Sequence, residues 1–445
     1  MHMVRQVNVI TREDLGFRSA LTNTHTHSLH PYPAKFIPQI ATELVTKYSQ
    51  PGELVADIFA GSGTTNLEAM LSGRHSYALD VNPLATLLTQ AKTAIVQPDV
   101  LSKEIERVLA SVNKTAPDLV LQSDVVQAIL IGKNQERLTY WFPEENVVKL
   151  ALLLQEIESI AGSDLRALLL LIFSSSLKPS SYWLDWSVKP QHDRRPIRPS
   201  NPADINPAVK YKRIVASAID VFTKRAKEVQ KRYTAAAPLL HKQAAYRPEI
   251  VCADLTGHDL GTNLFDTIIT SPPYLTSYEY ADLHQLSVFW LFNAQTVESF
   301  KRSGFIGTKM PPATPLPEAL ITSLALSNLR EVMPPVPLRH VDQYFTSMHN
   351  CLSRAHTALR PNGQLCIVIG DSRYKGHDIP NHLIFLDMLS AMGCTIQDVW
   401  ERPIPNKRLT SLRDATTGRI LPNTQKNSKT AMEIYPTEHI LILKK

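Results

Sequence analysis

Cysteine is scarce: the 445 residues hold four, at 252, 351, 366 and 394, with no Cys-X-X-Cys pair and no metal-ligand spacing. That excludes a disulfide framework, leaves no metal centre expected, and fits a reducing cytoplasm. Long apolar runs are also missing. The greasiest segment, Ala167–Phe173, is far shorter than the ~20 residues of a membrane span and follows Asp164 and Arg166. It reads as a buried helix, and no membrane partner is expected. The opening MHMVRQVNVITRED has no apolar stretch of signal-peptide length before its acidic residues, so no export signal is expected. Neither repeats of solenoid period nor low-complexity tracts occur. Charge of one sign barely dominates: 47 basic against 41 acidic residues give +6, which permits a polyanionic partner without requiring one. What is present is 44% hydrophobic and 20% charged residues, enough for a sizeable core. At ~100–200 residues per domain, two or three units are expected.

Residues 1–30 are polar, His-rich toward their end, and read as an N-terminal arm. From Pro31 to Pro98 helix-like and strand-like pieces alternate: amphipathic Gln39–Tyr48, apolar Glu53–Phe59, a helix from Gly61, and a short strand Ser76–Leu79 ending at Asp80. That order predicts a parallel α/β sheet. Residues 99–247 break the rhythm with helical spacing over Asn146–Ile160, Asp164–Ser176 and Ile214–Lys231. The rhythm returns after 248, with strands at Glu249–Ala253, Phe265–Thr270 and Gln364–Ile369, helices at Val341–Leu359 and Pro380–Met392, and an alternating tail that predicts a terminal hairpin. The expected fold is one α/β unit (31–98 and 248–445) interrupted by a helical insertion (99–247).

The stretch Asp57-Ile58-Phe59-Ala60-Gly61-Ser62-Gly63-Thr64-Thr65 lies where a strand gives way to a helix. Glycines there let backbone approach a ligand, and the free amides of a helix start offer donors. Asp80, closing the next strand ahead of Asn82-Pro83, stands where a carboxylate accepts a ribose diol. A tight strand-to-helix connection needs the same glycines; the added Asp80 favours a nucleoside. The third glycine of a dinucleotide fingerprint is missing, and so is the Lys-Ser/Thr of a Walker loop.

After the strand Phe265–Thr270 comes Ser271-Pro272-Pro273-Tyr274. The prolines fix φ and remove two amide donors, leaving the carbonyl before Pro273 free and rigidly aimed. A hydroxyl acceptor, a carbonyl acceptor and an aromatic face together suit a planar aminopyrimidine. Each acceptor takes one amino hydrogen, and the Tyr274 ring stacks on the base. An exocyclic amine is a poor nucleophile because its lone pair is delocalised. Hydrogen bonds to Ser271 Oγ and the Pro272 carbonyl favour a pyramidal nitrogen, and positioning supplies most of the acceleration. No covalent nucleophile is needed, and no cysteine follows a proline.

These two loops resemble the motifs of the S-adenosylmethionine-dependent DNA amino-methyltransferases, and the resemblance covers roughly 30–95 and 248–445. It implies a Rossmann-like methyltransferase sheet, mostly parallel with a terminal antiparallel hairpin, and S-adenosylmethionine as cofactor. By that resemblance Asp57, Gly61 and Gly63 border the methionine part of the cofactor and Asp80 its ribose, with Phe59, Thr64 and Asn82 taken alongside them. Tyr32, Lys35 and Phe36, in His30-Pro31-Tyr32-Pro33-Ala34-Lys35-Phe36, resemble a segment that closes over the methionine end. Asp254 resembles the acid that meets the adenine amine. Gly370-Asp371-Ser372 ends a strand that lines the same cleft, and Arg402–Arg408 resembles the late hairpin near the target base. Ser271, Pro272, Pro273 and Tyr274 take the catalytic role. The serine form is associated more with cytosine N4, the aspartate form more with adenine N6. The implied reaction is in-line methyl transfer to cytosine N4 in double-stranded DNA after base flipping, within a restriction-modification pair whose partner is a cognate endonuclease. Adenine N6 is the alternative, and a DNA-binding regulator without turnover is a further one.

The resemblance leaves the insertion unexplained. Within Leu177–Arg213 eight basic residues face three acidic ones, with Tyr182, Trp183 and Trp186 among them. Lys189, Arg194, Arg195 and Arg198 are therefore expected to meet phosphates and the aromatics to wedge or stack; a solvated proline-rich loop reads the same way. Lys407 and Arg408 are further DNA-binding candidates, and Leu275–His340 is a second candidate recognition segment.

Overall fold

A computed structural model of the chain describes residues 8–17, 20–32, 37–114, 135–184, 187, 190–196, 198–199, 201–211, 214–275, 280–292, 306, 315–404, 412–414, 431–433 and 437–445. Its centre is an eight-stranded sheet built from β1 (Val9–Thr11), β2 (Leu54–Asp57), β3 (His75–Asp80), β4 (Glu249–Cys252), β5 (Phe265–Thr270), β6 (Leu359–Ile369), β9 (Thr395–Pro403) and β12 (Thr437–Lys444). The spatial order is β1-β9-β12-β6-β5-β2-β3-β4. Strands β4, β3, β2, β5 and β6 run parallel. The terminal strand β12 is antiparallel to both β6 and β9. This is the expected mostly parallel, Rossmann-like sheet with an antiparallel terminal strand. Two short hairpins, β7 (Ser372–Tyr374) with β8 (His377–Ile379) and β10 (Leu412–Asp414) with β11 (Ala431–Glu433), lie outside it.

The central strands read as unbroken apolar runs because both faces are covered. In β12, Ile440 and Ile442 join Cys366 and Val368 of β6 in the core under helix α1 (Pro38–Tyr48). Leu441 and Leu443 join Leu365, Ile367 and Ile369 in the opposite core, which α10 (Pro335–Ala358) and α11 (Asn381–Ala391) cover with Phe345, Leu352 and Phe385. Period-two alternation thus sends successive side chains into different cores.

Among the described residues of 99–247 the helices are α4 (Pro98–Lys114), α5 (Gln135–Trp141), α6 (Glu144–Glu158), α7 (Ser163–Leu177) and α8 (Ala218–Lys242). Their side chains Ile105, Leu150, Phe173 and Phe222 share one core with Leu67 of α2 (Thr64–Leu71) and Leu84 and Leu88 of α3 (Pro83–Lys92). The junction is pinned where Tyr233 donates its hydroxyl to the Ala94 carbonyl (2.9 Å) and accepts from the Val96 amide (2.8 Å).

Two elements differ from expectation. The arm of residues 1–30 enters the fold: β1 pairs in parallel with β9, and Leu15 and Leu29 are buried. A three-residue strand offers no period to read. The helix expected over Ile214–Lys231 starts at Ala218 and runs to Lys242. Burial of Ala236, Ala237 and Leu240 carries it onward past the point where the apolar spacing weakens, with Pro238 inside. No helix among the described residues is long and apolar enough to cross a membrane.

Candidate active site

Strand order reverses between β2 and β5. From β2 the chain moves outward to β3 and β4; on the other side lie β5 and β6. Ligands of open α/β sheets bind beyond the carboxyl ends at such a switch point. Both loops singled out in the sequence leave from there, the glycine loop from β2 and the Ser-Pro-Pro-Tyr loop from β5. One hydrogen bond joins them directly: Thr270 Oγ1 donates to Asp57 Oδ1 over 2.7 Å.

Gly61 and Gly63 both sit at positive φ, 51° and 71°. At Gly63 an added Cβ would lie 2.5 Å from Thr89 Oγ1, so α3 packs against the turn with no room for a side chain. Gly63 caps α2, and Thr64 begins it. Sequence reasoning missed two supports of this loop. Lys92, wholly buried, donates to the Ser62 carbonyl over 2.7 Å. Glu68 accepts from Thr42 Oγ1 (2.7 Å) and lies 2.6 Å from His27 Nε2, joining α1, α2 and the N-terminal segment. Nothing in the local text marks either residue, because their partners are remote in sequence.

The two acids behave differently. Asp57 is 1% exposed, and its Oδ1 also accepts from the Phe59 amide (3.2 Å). It therefore fixes the ends of β2 and β5 together. Asp80 closes β3 and accepts the Gly61 amide on one oxygen and the Asn82 amide on the other, each at 2.8 Å. Each oxygen keeps a second lone pair. Burial pushes both carboxyls up to about 6. An acid raised by burial stabilises the fold fully below its unfolded pKa near 4 and loses that contribution as pH rises through about 6. Thermal unfolding of the ligand-free protein therefore checks a specific difference. Between pH 4 and 7 the parent loses on the order of 2–3 kcal/mol relative to Asp57→Asn. Parallel curves would mean that Asp57 does not titrate in this range.

Asn82 caps α3 by accepting the Leu84 amide (3.0 Å), and its Nδ2 lies 3.2 Å from His284 Nδ1. His284 precedes α9 (Gln285–Leu291) and is fully desolvated, which lowers its pKa to about 4. Its ring lies 4.7 Å from that of Tyr32, and Tyr32 Cε1 lies 3.6 Å from where a Gly61 Cβ would stand. Tyr32 thus closes over the glycine loop. Lys35 and Phe36 lie outside the described residues. Asp254 is exposed beyond β4, with Oδ1 taken by the amide and hydroxyl of Thr256, a turn cap.

In the second loop Ser271 is half-buried and Pro272 buried. The Pro273 carbonyl accepts from the Tyr344 hydroxyl over 2.8 Å, which ties the loop to α10. No described residue donates to the Pro272 carbonyl or to Ser271 Oγ. Tyr274 is held at its far end: its hydroxyl donates to Glu438 Oε1 (2.9 Å), and Arg402 Nη2 holds Glu438 Oε2 at 2.7 Å. Gly370 lies against the ring, with only 3.1 Å between its Cβ position and Tyr274 Cε2. Arg402, expected near the target base, is instead 4% exposed and also donates to the Leu15 carbonyl. A guanidinium pairing Glu438 there positions the tyrosine.

Among the DNA-binding candidates, Arg194, Arg195 and Arg198 are all exposed, and Arg195 is paired with Asp193 at 2.5 Å. Lys189, Lys407 and Arg408 lie outside the described residues, as does Trp186. Trp183, expected to wedge or stack on DNA, is 4% exposed. Its ring lies 5.4 Å from Trp141 and its indole N–H donates to the Ser187 carbonyl. It is core, because an aromatic beside helix α5 gains more from burial than from water.

The family model described as DNA methylase, of the N6/N4 type, matches residues 14–90, the span that carries Tyr32, the glycine loop and Asp80. The type II methyltransferase M.MvaI of Kocuria varians is 24% identical over 420 residues, covering 90% of this chain and 89% of its own. M.BsoBI of Geobacillus stearothermophilus, also a type II methyltransferase, is 23% identical over 456 residues, covering 91% and 84%. The type II methyltransferase M.MjaII of Methanocaldococcus jannaschii is 37% identical over 68 residues, 15% of this chain and 13% of its own. The chain is similar over most of its length to type II methyltransferases, and its residues 14–90 carry the DNA methylase match. Its cofactor is S-adenosylmethionine, and the residues present fit that group: two glycines at positive φ, the amide-rich start of α2 and the Asp80 carboxylate border one end of the cleft.

Proposed function

We propose that this DNA methyltransferase modifies the N4 amine of cytosine in duplex DNA. The observation that carries the reading is the adjacency of the two loops, joined by Thr270 and Asp57, with no described residue donating to the Ser271 hydroxyl or Pro272 carbonyl while the Pro273 carbonyl is engaged.

Asp80, Asn82, Gly61, Gly63, Thr64, Phe59 and Tyr32 would hold S-adenosylmethionine. When bound, it supplies an electrophilic methyl group on a sulfonium. Ser271 Oγ and the Pro272 carbonyl accept the two amine hydrogens of the flipped base, so the nitrogen lone pair is drawn out of conjugation. Tyr274 stacks on the ring, fixed in place by Glu438 and Arg402. The pocket needs no covalent nucleophile: Cys351, Cys366 and Cys394 are buried in the fold, and burial raises each thiol. Serine at the head of the loop favours cytosine N4 over adenine N6. Residues 177–213, with Arg194 and Arg198 exposed, serve duplex contact. By analogy with the type II relatives, a cognate endonuclease is the expected partner.

Incubation with labelled cofactor and unmodified duplex DNA, followed by digestion to nucleosides, tests this. The label is expected in N4-methyl-2′-deoxycytidine. Label in methyladenosine transfers the reading to adenine N6. Binding of DNA and cofactor with no labelled nucleoside supports a regulator without turnover.

A further inference from the structure

Three side chains outside the reaction described above meet at the end of β6. Asp371 follows that strand, His382 lies in the first turn of α11, and His439 lies on β12 opposite Ile369. One ligand atom from each lies within 4.8 Å of the other two. His382 Nδ1 and Asp371 Oδ1 are 2.7 Å apart, and the imidazoles stack with centroids 3.8 Å apart. His439 is only 6% exposed. Its Nε2 faces Glu401 Oε2 at 3.5 Å, and its buried Nδ1 has no hydrogen-bond partner among the described residues. A carboxylate on one imidazole nitrogen is the arrangement that orients the other toward a metal. A buried imidazole nitrogen left without a partner is otherwise costly.

We propose that Asp371, His382 and His439 bind one divalent late first-row transition metal ion. Two imidazoles and one carboxylate suit zinc, cobalt or nickel. Magnesium and calcium favour all-oxygen ligands. The rings are within 14° of parallel, so their lone pairs run side by side. Binding therefore turns His382, the more exposed ring, while β12 holds His439 still. The ion would tie together β6, α11 and β12. Those elements place Gly370 against the Tyr274 ring, Asn381 Nδ2 on the Gly370 carbonyl (2.8 Å) and Glu438 on the Tyr274 hydroxyl. The site is a clamp behind the catalytic-loop tyrosine, with no step in the reaction.

The full chain, without a polyhistidine tag and stripped by chelator, is titrated with cobalt chloride and then zinc chloride. The expected result is one equivalent of cobalt bound, a visible absorption band that zinc bleaches, and a higher unfolding temperature at saturation. His382→Ala and Asp371→Asn each weaken binding at least about tenfold. Absence of saturable binding in the parent overturns the proposal. So does unchanged one-equivalent binding in both variants, which would place the metal elsewhere on the chain. If His382→Ala fails to fold, Asp371→Asn, at a half-exposed position, keeps the test valid. The readout involves no methyl transfer, so its failure is separable from failure of the proposed function.

Discussion

Ser271→Ala lowers turnover by roughly a hundredfold or more and leaves S-adenosylmethionine affinity unchanged. Removing one preorganised hydrogen-bonding group from a site of developing charge typically costs ~10²–10³ in rate. Ser271 touches neither the glycine loop nor Asp80 through any hydrogen bond found, so its loss spares the cofactor end. Among the described residues none partners its hydroxyl. The measurement is single-turnover methylation with cofactor prebound, alongside equilibrium cofactor binding. Turnover within threefold of the parent would remove Ser271 from the amine. A parallel loss of cofactor affinity would move it to the other half of the cleft. Tyr274→Ala is expected to behave alike in direction, with turnover falling more than affinity.

Gly63→Ala destabilises the fold by about 2–5 kcal/mol and weakens cofactor binding at least tenfold. Left-handed backbone costs an L-residue about 1–2 kcal/mol, and overpacking adds about 1–3 kcal/mol. The new methyl group would stand 2.5 Å from Thr89 Oγ1 and 2.9 Å from Thr89 Cβ. Relief requires α2 and α3 to part, and that displaces the amides at the head of α2. Gly52→Ala supplies the control: its φ is +85°, but nothing lies within 4 Å of the new Cβ. It should show the backbone strain alone, with cofactor affinity intact. Equal effects at the two glycines, by chemical denaturation and cofactor titration, would dismiss the packing argument.

Much of the site was legible because its determinants are local. A strand running into Gly61-Ser62-Gly63, or into Ser271-Pro272-Pro273-Tyr274, restricts its own backbone through φ, so neighbouring residues suffice to identify it. The alternating apolar runs of β6 and β12 likewise announce a sheet covered on both faces. The supports were not legible. Lys92 on Ser62, Glu438 on Tyr274 and Tyr344 on Pro273 join residues far apart in the chain, and no local pattern distinguishes them from solvated side chains. Trp183 and Arg402 depart from expectation for the same reason: in sequence one suits DNA stacking and the other a hairpin near the target base, yet packing and a paired acid place them inside.

The sequence by itself therefore determined the groups on offer: a glycine-rich cradle with an acid after it, two acceptors and a ring, on a mostly parallel sheet. Only the tertiary structure decided that the cradle and the acceptors share a corner. Parallel pairing of β2 with β5 brings their carboxyl ends together, although more than 200 residues separate Asp57 from Thr270. Hydrogen-bond register between distant strands is a property of the whole packed core, and no stretch of text encodes it alone.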